Sequence, residues 1–442
     1  VAYMISMVGL IGGLILLTVL VMRGMNLLVV APLSAVFVAL LNGLPLFPQL
    51  AGEGQMDFVT SYMDGFAGFI TSWYLMFLAG AIFGKVMEDS GAADSVSNWI
   101  ISKIGMKNAV LAVVLACAVL TYGGVSLFVV AFAVYPMAVS LFKEANLPRR
   151  FIPAALAFGS TTFTMTSAGS PEIQNWIPIP YLGTNPYAGW EVSLVVAIFI
   201  FIFGYWWLMK IIRRAVKNGE YFIERESDNK EVRTSIPHPF ISLIPLLSVL
   251  IVSFIFHDSL QQSALILALL SGIITTWLFN RKYFRDFWKA VGEGTTGALV
   301  AIGNTAAVVG FGGVAKVTPA FETAVDYMTS IPGNPLIGGA IAVIVIAGLT
   351  GSSSGGQTIA LPILGPHYLD MGVSAEALHR TVSLSSGTLD SLPHGGYTVT
   401  TIRAISGETH KSAYPAFFCV VVLVPLIAVI LAIALFSLGF GI

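Results

Sequence analysis

The sequence predicts an all-α polytopic membrane protein made of two inverted repeats. Each repeat holds three helices, a re-entrant hairpin, a broken helix and a last helix. Three observations carry this. First, of 442 residues 56% are hydrophobic and only 10% charged, whereas a soluble domain carries about 25% charged residues. Second, several apolar runs reach the roughly 20 residues a helix needs to cross hydrocarbon. Third, four short Ser/Thr/Gly-rich breaks interrupt the apolar sequence, two in each half.

The candidate spans are 5–22, 27–46, 67–86, 193–210, 238–256, 263–280, 296–316 and 416–440. No small-residue cleavage site follows the first run, which continues to Arg23, so it reads as a retained helix and not a signal peptide. Alternating ten-residue strands are absent, which argues against a β-barrel. Net charge is −1 with no basic patch, so no nucleic-acid partner is expected. Cys117 and Cys419 lie inside apolar segments without metal-ligand spacing, so they read as packing residues, and no metal site is expected.

Regions 108–142 and 331–369 lack charged residues. Each is too long for one crossing and too short for two full crossings with a turn. Gly123 and Gly124 punctuate the first near its middle, Gly355 and Gly356 the second. A hairpin that enters and leaves on one side fits both. Regions 152–180 and 381–402 read as crossings broken at mid-depth. Cytoplasmic loops are rich in Lys and Arg. With both hairpins re-entrant, 20 of the 22 basic residues, from Arg23 to Lys411, fall on one side, and only Lys316 and Arg380 fall on the other. Both termini are then expected to be extracytoplasmic, in a bacterial inner membrane.

The halves echo each other in order. GAIFGKV (80–86) parallels FGGVAKV (311–317), and each hairpin tip begins Leu-Thr, at Leu120 and Leu349. Five net crossings per half make the second half inverted, a secondary-transporter architecture. The expected division is a first repeat at 1–212, a cytoplasmic linker at 213–237 and a second repeat at 238–442.

A polar, Gly-rich break at membrane depth frees backbone groups that only protein or a water-filled cavity satisfies. Paired breaks are therefore the sequence pointer to a substrate site. Tip one supplies Tyr122, Gly123, Gly124 and Ser126, and tip two Ser352, Ser353, Ser354, Gly355, Gly356 and Gln357. The first broken helix supplies Thr164, Thr166, Ser167, Gly169 and Ser170, the second Ser386, Gly387 and Thr388. Helix N-termini after the tips favour a carboxylate. Small residues also serve helix packing, which is the alternative reading. Asp390 and His394 are the ionisable residues of the second break, and intramembrane acids by default mark proton or ion paths. Asp390 as the N-cap of a half-helix near Pro393, and His394 as a core histidine, are the competing readings. Glu172, just past Pro171, is a further coupling candidate. No catalytic constellation is expected: Ser353, His394 and Asp390 lack a nucleophile-elbow context, which leaves an intramembrane enzyme or a channel as minor alternatives.

LAGAIFGKVMEDSGAADSVSNWIISKIG (78–105), the tip YGGVSLFVV and VYPMAV (134–139) resemble the gluconate:proton symporter (GntP-type) permeases of the ion-transporter superfamily. The resemblance implies import of a small hydroxy- or sugar-acid anion with protons and no cofactor. It also implies a scaffold, an elevator-type transport domain and a homodimer. Sodium coupling, through unwound carbonyls at the tips, is the alternative. One stretch departs from the gluconate-type pattern: FTMTSAGSPEIQN (163–175) stands where those permeases have a Pro- and His-rich break. This version looks like the 3-hydroxybutyrate permease branch, which implies a short hydroxy-monocarboxylate.

Overall fold

The computed structural model describes residues 2–105, 108–225 and 235–441. Lys107, Lys230 and Arg233, three of the basic residues assigned to the inner side, lie outside them. The described chain is all-helical, with 78% helix and no strand. Eight of its helices are long and apolar enough to cross a membrane.

In order, α1 is Ala2–Met22, α2 Leu27–Leu41, α3 Phe58–Asp89, α4 Ala92–Ile104, α5 Ala109–Tyr122 and α6 Leu127–Glu144. The short α7 (Ile152–Ala157) runs into a π turn (Phe158–Thr162), and irregular backbone leads to α8 (Ile179–Leu182) and the long α9 (Trp190–Lys217). The second half begins with α10 (Pro239–Leu260), α11 (Ser263–Asn280), α12 (Phe287–Lys316) and α13 (Pro319–Thr329). It continues with α14 (Pro335–Thr350), α15 (Ser353–Asp370), α16 (Ala375–Leu389) and α17 (Gly396–Val399), which opens into a second π turn (Thr400–Ile405). Finally α18 (His410–Phe417) and α19 (Val424–Ser437) form one helix through a third π turn (Phe418–Leu423). Single π turns inside helices are frequent at functional sites.

Several boundaries differ from those read off hydropathy. The span 27–46 is helical only to Leu41, because Asn42 closes the helix and Pro45 and Pro48 follow. The spans 67–86 and 296–316 belong to helices of 32 and 30 residues. Their extra turns carry polar residues such as Asp64, Lys289 and Glu293, which lower local hydropathy without breaking a helix. Each extension begins on an aspartate N-cap. Asp57 accepts from the Thr60 amide at 2.9 Å, and Asp286 from the Lys289 amide at 3.0 Å.

These two long helices form the seam between the halves. A Cβ on Gly65 would lie 2.6 Å from the Val309 carbonyl oxygen, and one on Gly313 only 2.3 Å from that of Ser61. At the other end, a Cβ on Gly294 would lie 2.8 Å from the Ile82 Cα. Backbones this close give membrane helices their packing energy, since burying apolar surface gains little where the solvent is lipid.

Residues 213–217 complete α9, and 218–225 cross over as a strap. Arg150 donates to both Glu220 carboxylate oxygens, at 2.6 and 2.7 Å. The Phe222 amide donates to Asn146, and Lys143 pairs with Glu224. At the strap's end Arg225 donates to the Gly407 carbonyl at 2.8 Å and to Glu408 at 2.7 Å. Buried Arg149 stands 3.7 Å from the same Glu408 carboxylate. The strap thus ties the α6–α7 corner to the corner before α18.

The hydrogen bond from Arg150 holds the Glu220 carboxyl below its ordinary value of 4.5. A depressed acid stabilises the fold above its unfolded pKa and loses that contribution as pH falls through its folded pKa. Glu220→Gln is therefore expected to lower the melting temperature modestly at neutral pH. The gap from wild type should close below about pH 4.5. Thermal unfolding across pH checks this, and a gap that does not narrow as pH falls below about 4.5 would contradict it.

Candidate functional site

The first break satisfies its own backbone. The hydroxyls of Ser160, Thr161, Thr162, Thr164, Thr166 and Ser167 all donate to carbonyls four or five residues back, at 2.5–3.2 Å. Thr164, Thr166 and Ser167, expected to face substrate, are thus engaged with the backbone in this conformation. Gly169 has φ +78, and its amide donates to Pro186. The Ser170 carbonyl accepts from Asn175 and from the Trp176 indole.

Arg380 locks this break in place. Sequence reading counted Arg380 only as a basic residue of the outer side; in the structure it lies inside α16, which begins at Ala375, and its side chain is fully buried. Its guanidinium donates to the carbonyls of Thr166 (2.6 Å), Pro186 (3.3 Å) and Ala188 (2.8 and 3.0 Å), and to Asn175 Oδ1 (2.8 Å). All five N–H donors are used, each on a neutral oxygen. Only the planar fork of arginine offers that many fixed donors.

Tip two reaches the other side of the break. Gly351, at φ +61, closes α14, and Ser352 caps α15 by accepting from the Gly355 amide at 3.2 Å. Gly356 lets α15 cross α14, since a Cβ there would lie 2.7 Å from Ala347. Ser353 accepts from Gln174 Nε2 at 2.9 Å. Gln357 Nε2 donates to the Gln174 carbonyl (3.0 Å) and to the Ser386 hydroxyl (2.7 Å), while Ser383 donates to that same carbonyl. Thr388 donates to Ser385 within α16. The helix kinks at Gly387, where a Cβ would lie 3.0 Å from Thr166 Cγ2. Ser354 lies 3.3 Å from the Ser352 hydroxyl.

Asp390 is not an N-cap. The following helix starts at Gly396 with Gly395 as its cap, while Asp390 occupies the C-cap of α16. A helix C-terminus repels a carboxylate. Among the described residues, half-buried Asp390 takes only local relief, from the Ser391 hydroxyl at 3.1 Å and from Ser353. Glu172 is half-buried too, and none of the hydrogen bonds and ion pairs of the described residues involves its carboxylate. His394 Nε2 sits 2.9 Å from the Gly348 carbonyl, at the end of α14.

Tip one meets the first break from the opposite flank. The Tyr122 hydroxyl donates to the Ala168 carbonyl at 2.7 Å. Gly123 abuts Leu246, and Gly124, at φ +92, abuts Val249 and Pro171. Ser126 stands half-buried at the start of α6 without a side-chain cap bond. Just beyond it, Phe128 meets Tyr397 edge-on, and the Tyr397 hydroxyl lies 2.9 Å from that of Ser160. In the described hydrogen bonds both tips engage the first break and not each other. The break is the hub between them.

Sequence reasoning missed Gln174, Asn175, Ser383 and Arg380. The signal was present in the polar pair Gln174-Asn175 after Pro171, and in an arginine only one residue ahead of the expected crossing.

Comparison with known proteins gives a coherent picture. A family model described as citrate transporter, CitMHS, matches residues 14–354. The uncharacterized transporter YxjC of Bacillus subtilis is 36% identical over 94% of this chain and 95% of its own. An uncharacterized transporter of Haemophilus influenzae is 24% identical over 83% of this chain and 88% of its own. A high-affinity gluconate transporter of Escherichia coli is 27% identical over 36% of this chain and 33% of its own. Among solved structures, the YdaH transporter of Alcanivorax borkumensis shares the fold. The TM-score is 0.58 at 14% identity, covering 96% of this chain and 99% of that one. These relatives are transporters and not enzymes.

Proposed function

The chain belongs to the CitMHS citrate-transporter family and is a secondary transporter of that kind; on that premise we propose that it imports a small hydroxycarboxylate anion, such as 3-hydroxybutyrate or gluconate, by proton symport. The observation that carries this reading is the meeting of tip two, the first break and α16. Gln174, Ser353, Gln357 and Ser386 form one hydrogen-bonded cluster there, and Asp390 stands at the adjoining helix end. The free N–H groups at the start of α15 suit a carboxylate. Asp390, disfavoured as an anion where it stands, suits a proton that travels with the substrate and offsets its charge. The chain would work as two inverted repeats in a homodimer of the bacterial inner membrane, with both termini extracytoplasmic. Its hairpins and broken helices would move as an elevator against the remaining helices. The resemblance to gluconate permeases supports this part of the reading, as does the seam between α3 and α12.

Flux into proteoliposomes under an imposed pH or sodium gradient tests the coupling. Uptake driven by a pH gradient alone is expected. Uptake that follows only the sodium gradient would replace protons by sodium. Ser353→Ala removes one hydroxyl beside the α15 N-terminus and is expected to weaken carboxylate binding about three- to tenfold, the worth of one hydrogen bond. A binding isotherm measures it. Wild-type affinity in a folded Ser353→Ala protein would exclude tip two as the anion site.

A further inference from the structure

Gln357 is fully buried, and its amide orientation is fixed by its neighbours. Nε2 faces the Gln174 carbonyl at 3.0 Å, which can only accept, so the nitrogen must lie there and Oε1 must point the other way. That Oε1 is buried and meets no donor among the described residues. The same is true of Gln174 Oε1, one hydrogen bond away in the cluster. A buried amide oxygen without a donor is costly, and folded chains rarely leave two together. Both oxygens accept only. They repel a carboxylate and suit a hydroxyl hydrogen.

We propose that Gln357, with Gln174 beside it, is the specificity determinant that accepts a hydrogen bond from a hydroxyl group on the transported carboxylate. The inference rests on the carboxylate reading above and adds to it a reason for the hydroxyl. Ser353 and Gln357 lie one helical turn apart on α15, about 6 Å along its axis. One small ligand therefore spans the anion-binding start of the helix and the Gln357 amide. The Ser386 hydroxyl and the Gln174 carbonyl hold that amide rigidly. A rigid acceptor discriminates because an analogue lacking the hydroxyl leaves it unpaired again.

The test compares 3-hydroxybutyrate with butyrate on purified protein by calorimetry, with and without sodium. Wild type is expected to prefer the hydroxy acid at least about tenfold. Gln357→Leu removes the acceptor at similar volume. It is expected to bring the ratio close to one. Ser386→Ala, which only loosens the amide, is expected to give an intermediate ratio and guards against misfolding of the first variant. Three results would overturn the proposal: no preference in wild type, a preference kept in both folded variants, or a ratio unchanged while the sodium dependence of binding disappears. The last would make the amide oxygens sodium ligands. Failure of wild type to bind either acid, or gluconate measured beside them, would instead overturn the carboxylate reading, and this proposal with it.

Discussion

Asp390→Asn is expected to uncouple transport from the pH gradient while leaving exchange intact. The variant mimics the protonated side chain and keeps its volume, so the substrate site should still load and cross. It cannot pick up a proton on one side and release it on the other. With one proton per anion and a one-unit pH gradient, wild type should concentrate substrate about tenfold, and the variant not at all. The position argues for a coupling role. Asp390 ends α16 instead of beginning α17, so the helix dipole opposes its charge, and among the described residues only Ser391 and Ser353 relieve it. Counterflow of labelled substrate beside net uptake separates the two properties. If the asparagine variant still accumulates substrate, Asp390 has only a structural role and half-buried Glu172 becomes the coupling acid.

Arg380→Gln is expected to remove most of the folded protein from the membrane. Its guanidinium serves three backbone carbonyls and Asn175 Oδ1, in the first break and in the loop that follows it before α9. An orphaned buried polar group costs about 1–3 kcal/mol. Several lost together rival a typical total stability of about 5–15 kcal/mol. Arg380→Lys should rescue little, since an ammonium has three donors on a single point and cannot reach both sides of the fork. Size-exclusion profiles and melting temperatures of detergent-purified protein measure this. A monodisperse Arg380→Gln protein melting within a few degrees of wild type would show that the break holds itself.

How much of this was legible depended on what each signal measures. Composition and hydropathy made the all-helical membrane class plain, because apolar length is what a bilayer demands. They understated α3 and α12, whose ends carry Asp64, Lys289 and Glu293, since helix propensity and capping continue beyond the apolar stretch. The four Ser/Thr/Gly breaks were visible as composition. Their individual hydroxyls were not readable as ligand contacts: those of Thr164, Thr166 and Ser167 turn back onto the chain. The role of Arg380 was missed because its charge was used only to assign sides, and a buried arginine saturated by carbonyls carries the same letter as one in a loop. Gln174 and Gln357 meet across 183 residues, a pairing to which no local pattern points.

The seam between α3 and α12 also bears on how this chain can change over generations. Every single-base change in a glycine codon that is neither silent nor a stop adds a side chain. At Gly65 and Gly313 the first carbon of any side chain would meet a backbone oxygen at 2.6 or 2.3 Å. No rotamer choice relieves a clash made by the Cβ itself, and no flexible neighbour stands there to yield. One mutational step at either codon therefore pries the two halves apart, whatever residue it installs. Positions such as Leu299 and Ile202, more than half exposed, make no such backbone contact and accept other apolar side chains far more readily. Drift is thus channelled to the outer surface, and the seam is held fixed by the genetic code as much as by packing.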